Sequence, residues 1–300
     1  MRNIGIIGFP MDLGGNLRGV DMGPSAIRLA NLVQRLEDLE VDVTDMGNVL
    51  VHTRALIENP DSTAHYIEEI IRACEAAATM AESAIDDDRI PVMLGGDHSV
   101  AIGTLWALAK AHGPGGVIWV DAHAHLNTPS TTLSGNVHGM ALAAALGRCA
   151  EEDPRFVSEN WPTQCVLPGH TVLIGIRDLD KAERELLKKS GAPKVFTIAD
   201  IDRRGIAAVA EEAVRIASGA GFLHVSLDLD GVDPHDAPGV GTPVRGGLTY
   251  REAHTVMEII SSFEFHGLDV VEVNPVLDTR NATGELATEL VMSLFGDRIL

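Results

Sequence analysis

Val117-Ile118-Trp119-Val120-Asp121-Ala122-His123-Ala124-His125-Leu126-Asn127 runs from four apolar residues into three metal-capable side chains spaced by two. An unbroken apolar run of this kind marks a strand buried on both faces, as in a parallel sheet covered by helices. In an extended chain, residues two apart share a face, so the spacing predicts that Asp121, His123 and His125 point the same way. Phe222–Asp230 ends alike, with Leu223-His224-Val225-Ser226-Leu227 leading to Asp228 and Asp230. A third run, Ile90–Leu94, opens onto Gly95-Gly96-Asp97-His98. A lone Asp-x-His behind a strand is ordinary turn and capping chemistry. Three such strand ends on one sheet edge imply a two-metal site. Carboxylates gathered this closely repel one another and resist ionisation unless cations lie between them. The mixture of imidazole and carboxylate suits manganese, iron, cobalt, nickel or zinc better than calcium.

Outward from these strands, apolar runs alternate with helical patterns. Strands are expected at Asn3–Gly8, Val41–Thr44, Val172–Ile176, Val195–Thr197 and Leu268–Val273. Pro24 opens a helix whose Leu29, Leu32, Val33 and Leu36 fall on one face. Further helices are expected over Ala64–Ile85, Val100–Ala111, His138–Leu146, Asp180–Lys189, Gly205–Ser218 and Leu286–Leu294. Thr249 caps another that runs to about Phe263, with Glu252 completing a capping box. Residues 47–63 read as surface connections and 150–170 as an excursion with three prolines; 231–248 form a long Gly- and Pro-rich loop of the kind that carries function. The pattern predicts one α/β domain over residues 1–300. It has three layers, with a mostly parallel, roughly eight-stranded sheet covered by helices on both faces. Ligands in such sheets bind beyond the carboxyl ends of the strands, where the metal-capable groups fall.

The formal net charge of −20 argues against nucleic acid or an anionic membrane as a partner and suits a cationic small molecule. Cys74, Cys149 and Cys165 are far apart and odd in number, which predicts reduced thiols in a cytoplasmic protein. Met1 to Pro10 enter directly into a strand pattern, and neither a signal peptide nor a long apolar span is expected.

Gly95-Gly96-Asp97-His98-Ser99, Asp121-Ala122-His123, Ser226-Leu227-Asp228-Leu229-Asp230-Gly231-Val232-Asp233-Pro234 and Glu272-Val273-Asn274-Pro275 together resemble the ureohydrolase (arginase/agmatinase) family. The likeness extends from the first strand to the last helix. Ser134-Gly135-Asn136-Val137-His138-Gly139 and Gly241-Thr242-Pro243 are most similar to its arginase branch. The resemblance implies two manganese ions per subunit, with His98 on the first, His123 on the second, Asp121 and Asp228 bridging, and Asp230 completing the second. It implies hydrolysis of L-arginine to L-ornithine and urea by a hydroxide shared between the cations, an activated nucleophile near neutral pH. By the same resemblance His138 shuttles protons and Glu272 orients the guanidinium. Asn127 and Ser134, with Thr132 beside them, meet the α-carboxylate, and Asp180, with Glu183, the α-ammonium. It implies, too, a homotrimer or homohexamer.

One residue departs from the family pattern. Asp-x-His-x-Asp becomes Asp121-Ala122-His123-Ala124-His125, so an imidazole stands where the resemblance implies a carboxylate ligand that also serves the reaction. His125 either fills the coordination position, which opens the first site to cobalt, nickel, iron or zinc, or stays unligated and handles protons. Two alternatives therefore stand beside arginase activity. One is hydrolysis of another guanidine such as agmatine, guanidinobutyrate or a modified arginine. The other is a catalytically impaired member with a binding or regulatory role. The remaining histidines, His52, His65, His112, His170, His224, His235, His254 and His266, carry no expected function.

Overall fold

The computed structural model describes residues 3–59 and 61–298. Met1 and Arg2, where the first strand pattern was expected to begin, and Pro60, inside the 47–63 connection, lie outside the described residues. In chain order the elements are β1 (Asn3–Phe9), α1 (Gly23–Leu29), α2 (Leu32–Asp38), β2 (Asp42–Asn48), α3 (Ile67–Asp86), β3 (Ile90–Gly95), α4 (Ala101–His112), β4 (Gly115–Val120) and α5 (Ala141–Ala145). There follow β5 (Val166–Ile176), α6 (Lys181–Leu187), β6 (Lys194–Thr197), α7 (Ile198–Arg204), α8 (Ile206–Ala217), β7 (Leu223–Asp228), α9 (Tyr250–Ile260), β8 (Gly267–Val271) and α10 (Ala282–Phe295).

The strands form one eight-stranded sheet in the order β2-β1-β3-β8-β7-β4-β5-β6, and each neighbouring pair is parallel. The apolar runs are unbroken because each strand feeds two cores. Ile118 and Val120 pack beneath α8 and α9 on one face, while Val117 and Trp119 pack beneath α3, α4 and α5 on the other. This is the single-domain, three-layer α/β fold that the sequence pattern predicts.

Three local differences have physical causes. The helix expected from Pro24 is two, because Asn31 takes a left-handed φ of 60° between α1 and α2. Asn tolerates that conformation. The turn removes Leu29 from the expected buried stripe and leaves it 73% exposed, while Leu32 and Leu36 are buried. The excursion over 150–170 ends early, since β5 already begins at Val166 and Pro168 lies within it; its pairing with β4 shifts register between Gly115 and Val117. A helix absent from the expectations, α7, is nucleated by a capping box in which Thr197 accepts from Asp200 N and the Asp200 carboxylate reaches back. The capping box of Thr249 and Glu252 stands where it was expected.

Candidate metal centre

Four neighbouring strands, β3, β8, β7 and β4, end at the site. At the end of β3, Gly96 allows the chain to press against the first loop: a Cβ there would lie 1.8 Å from Met11 O. Asp97 N donates to Met11 O at 2.9 Å. The buried Asp97 carboxylate accepts from Gly14 N at 2.8 Å and Ser99 N at 3.1 Å, so it fastens loop and turn rather than facing the cluster. His98 follows with no exposed surface, its ring stacked on Trp119 at 4.0 Å between centroids.

The period-two argument for Asp121, His123 and His125 does not hold. β4 stops at Val120, and Asp121–His123 form a bend. His125 has a left-handed φ of 50°. The side chains converge because the backbone folds over the strand end, and they divide between two groups. His98, Asp121, His125 and Asp228 form one and Asp121, His123 and Asp230 the other, with the donor atoms of each within 4.8 Å of one another.

Asp121 sits between the groups. Its Oδ2 lies 3.1 Å from His98 Nδ1 and 3.0 Å from His125 Nε2 and accepts from Trp119 Nε1 at 2.8 Å. Its Oδ1 accepts from His123 N at 2.6 Å and stands 3.4 Å from His123 Nδ1. Asp228 Oδ2 is 3.0 Å from His98 Nδ1, and Asp230 Oδ2 is 3.0 Å from His123 Nδ1. Thr242 donates to Asp230 Oδ2 at 2.8 Å. His123 Nδ1 and His125 Nε2 are buried and make no hydrogen bond among the described residues, although carboxylate oxygens stand 3.0 Å away. Buried nitrogens aimed at carboxylates in this way are what a pair of divalent cations fits.

The charges are correspondingly tense. Burial, then the charges of Asp230 and Asp121, push the Asp228 carboxyl well above the usual carboxylate range. Burial opposes ionisation of Asp121 too, but His125, His123 and His98 outweigh it and hold Asp121 well below. His123, against both Asp230 and Asp121, is pushed up to about 12 despite its burial. His125 goes the other way, because burial exceeds the pull of Asp121. Beside the cluster, His138 Nδ1 lies 3.0 Å from Glu272 Oε1, which also accepts from His98 N at 3.1 Å. Burial disfavours charge on both, yet their attraction prevails, raising His138 and lowering Glu272.

Over these groups opens a cleft of about 240 Å³, walled by His123, His125, Asn127, His138, Asp178, Asp180, Glu183 and Thr242. Asn127 Nδ2 donates to Asp180 Oδ2 at 2.7 Å. Asp180 and Glu183 form the capping box of α6, and Glu183 Oε1 also accepts from Leu126 N at 3.0 Å. Thr132 and Ser134 are not among the wall residues. Thr132 Oγ1 accepts from Gly135 N at 3.0 Å, and Ser134 is exposed, with its hydroxyl accepting from Asn136 N at 3.2 Å. A larger cleft, about 590 Å³, lies at the opposite end among Asn3, Ile90 and His266, where strands begin, and holds none of these donors.

Sequence reasoning passed over three residues here. Asp178, at the wall, has Oδ2 4.0 Å from His123 Nε2; its signal was another carboxylate just past a strand end, at Ile176. Thr242 lay in a quoted motif without a role. Arg177 gave no signal at all. Its guanidinium donates to the carbonyls of Gly175, Asp230, Gly231, Val232 and Val244, pinning the turn that carries Asp230. Among the histidines without an expected function, His224 is buried against Asp269 at 2.8 Å and His254 against Ser293 at 2.8 Å.

The model of the Arginase family matches residues 2–296. The chain is 47% identical to the arginase of Bacillus subtilis (strain 168), covering 100% of this chain and 99% of that protein. It is 45% identical to the arginase of Bacillus caldovelox over the whole of both. The crystal structure of arginase from Bacillus cereus superposes with a TM-score of 0.93 at 44% identity, covering 100% of each chain.

Proposed function

The chain belongs to the arginase family, and from that membership we infer that it is a metal-dependent amidinohydrolase converting L-arginine to L-ornithine and urea. The observation that carries the reading is the pair of donor groups sharing Asp121 at the floor of an acid-walled cleft. Members of the family use a binuclear metal centre. Here His98, Asp121, His125 and Asp228 would hold one cation and Asp121, His123 and Asp230 the other, so Asp228, expected to bridge, groups with the first alone and Asp121 with both; manganese is the first expectation. When bound, two divalent cations make water a nucleophile near neutral pH and offset the charge that develops at the reacting carbon.

The chain's own residues bind, orient and protonate. Glu272 is almost fully buried behind His138 and is not among the wall residues; its lowered pKa supports the role of meeting the guanidinium through a charge-assisted hydrogen bond. His138 lines the cleft wall with Nδ1 at Glu272, so the carboxylate favours the charged ring, whose second proton, on Nε2, would go to the departing amine. The backbone amides that Asp180 and Glu183 cap fix both acids, so the α-ammonium meets carboxylates that need no reordering. Asn127 serves the α-carboxylate from the wall, with Thr132 and Ser134 on the loop beyond. Among the described wall residues there is no lysine or arginine, which suits a substrate with two cationic ends.

No helix among the described residues is long and apolar enough to cross a membrane. We propose a cytoplasmic location and a homotrimer or homohexamer, whose mass light scattering on purified protein checks. The deciding experiment measures urea and ornithine from L-arginine beside agmatine and guanidinobutyrate. Urea release fastest from arginine, with ornithine formed beside it, is expected; urea from agmatine or guanidinobutyrate alone would move the reading to another ureohydrolase.

A further inference from the structure

We propose that the two cation sites are chemically unequal, and that His125 makes the first prefer a nitrogen-loving ion while the second keeps manganese. The inference rests on the binuclear reading above and deepens it.

His125 Nδ1 lies 2.5 Å from the carbonyl oxygen of His138. A carbonyl can only accept, so Nδ1 bears the hydrogen and Nε2 of the neutral ring bears the lone pair. That lone pair faces Asp121 Oδ2 at 3.0 Å, two acceptors with nothing to share between them. The ring is buried, so water does not relieve the contact. A cation between nitrogen and oxygen turns this repulsion into coordination. The carbonyl bond at the far side of the ring fixes its orientation, as outer hydrogen bonds do for imidazole ligands.

His98 is arranged in the same sense. Its Nε2 lies 2.8 Å from Ser226 Oγ, and with Nε2–H donating there, Nδ1 is left facing Asp121 and Asp228 at 3.1 and 3.0 Å. The first group thus offers two imidazole nitrogens and two carboxylates, the second one imidazole and two carboxylates. Affinity at either site rises from manganese toward nickel, and an imidazole in place of a carboxylate steepens that rise, since carboxylate suits manganese and imidazole the later ions. Placing both imidazoles of the first group around one ion should therefore separate the sites by preference. The assignment gives His125 a ligand's place and leaves proton transfer to His138.

The test uses the protein stripped by chelator and refilled with cobalt chloride in slight excess of the sites against manganese chloride raised in steps, over a range in which manganese displaces cobalt from the second site and not the first. After gel filtration, metal analysis should give one cobalt and one manganese per chain, and the visible cobalt spectrum should saturate at a single equivalent. His125→Asp should abolish the single-equivalent end point and lower the cobalt-to-manganese ratio by about tenfold or more. His123→Ala should leave the first cobalt band in place. Statistical filling of both sites, or a ratio unchanged in His125→Asp, overturns the proposal. The wild-type stoichiometry decides alone if a variant fails to fold. Arginine hydrolysis with statistical filling would sink the proposal and leave the function standing. Ordered filling with no guanidine hydrolysed would do the reverse.

Discussion

Glu272 Oε1 joins His138 to the metal-binding turn: it lies 3.0 Å from His138 Nδ1 and 3.1 Å from His98 N. One carboxylate therefore sets both the charge of the proton carrier and the placement of a candidate ligand. Glu272→Gln and His138→Asn should each lower kcat for urea release about 10²–10⁴-fold. Burial lowers the His138 pKa and Glu272 more than restores it, so charge on His138 persists below a raised pKa and is lost as pH rises through it. The alkaline limb of the rate profile should move to lower pH in Glu272→Gln. An unshifted limb would remove His138 as the titrating group.

Arg177 supports the same site from below. Its contacts with the carbonyls of Asp230 and Val244 at 2.6 and 2.7 Å close the base of the 231–248 loop. Arg177→Ala leaves several carbonyls without a donor and should reduce stability by about 2–4 kcal/mol in denaturant titration. Arg177→Lys has no planar fork and should recover only part of that. Wild-type stability in both would show that water replaces the guanidinium.

Chelation should destabilise the fold, because Asp121, Asp228 and Asp230 share one buried cluster with no lysine or arginine among its donors. Free cation at about 100 times its dissociation constant is worth about 2.7 kcal/mol. Thermal melts with and without chelator should differ by several degrees. Coincident melts would mean that these residues hold no ion.

Glu69 offers an acid-sensitive contact remote from the site. Burial would raise its pKa, but the Arg72 guanidinium and both His52 donors pull it from its ordinary 4.5 down to about 2. A depressed carboxylate stabilises the fold above 4.5, and that contribution is lost as pH falls from about 4.5 toward 2. With Arg72 40% exposed, the contribution is about 1–2 kcal/mol after screening. Glu69→Gln should flatten this part of the stability profile. A profile as steep as the parent's would place the acid sensitivity elsewhere.

Asn31 should tolerate glycine within about 0.5 kcal/mol and resist valine by about 1–2 kcal/mol, since its φ of 60° suits only the former. Equal stability of the two variants, measured by thermal unfolding, would mean that the helix break relaxes freely.

The buried strands were legible because both faces of the sheet are covered, which forces runs such as Val117–Val120 to be wholly apolar. The Thr249–Glu252 box was legible because capping is local. The turn at Asn31 was hidden by a helical spacing that continues across it. Short α7 was hidden because its box uses Asp200 rather than Glu or Gln. At the site, the residue types were legible and their partition was not. Period-two spacing has no force past Val120, and the His125 ring is oriented by a carbonyl thirteen residues on. Arg177 bonds only to backbone, which leaves no mark in residue types.

The strand order carries a consequence for sheet assembly. β8, the last of the eight strands in chain order, lies between β3 and β7, and through it, among the described residues, the sheet halves β2-β1-β3 and β7-β4-β5-β6 are hydrogen-bonded. His98 belongs to the first half, and Asp121, His125 and Asp228 follow strands of the second. The sheet that carries the first donor group is therefore continuous only after this keystone strand, which follows the other seven in the chain, has docked.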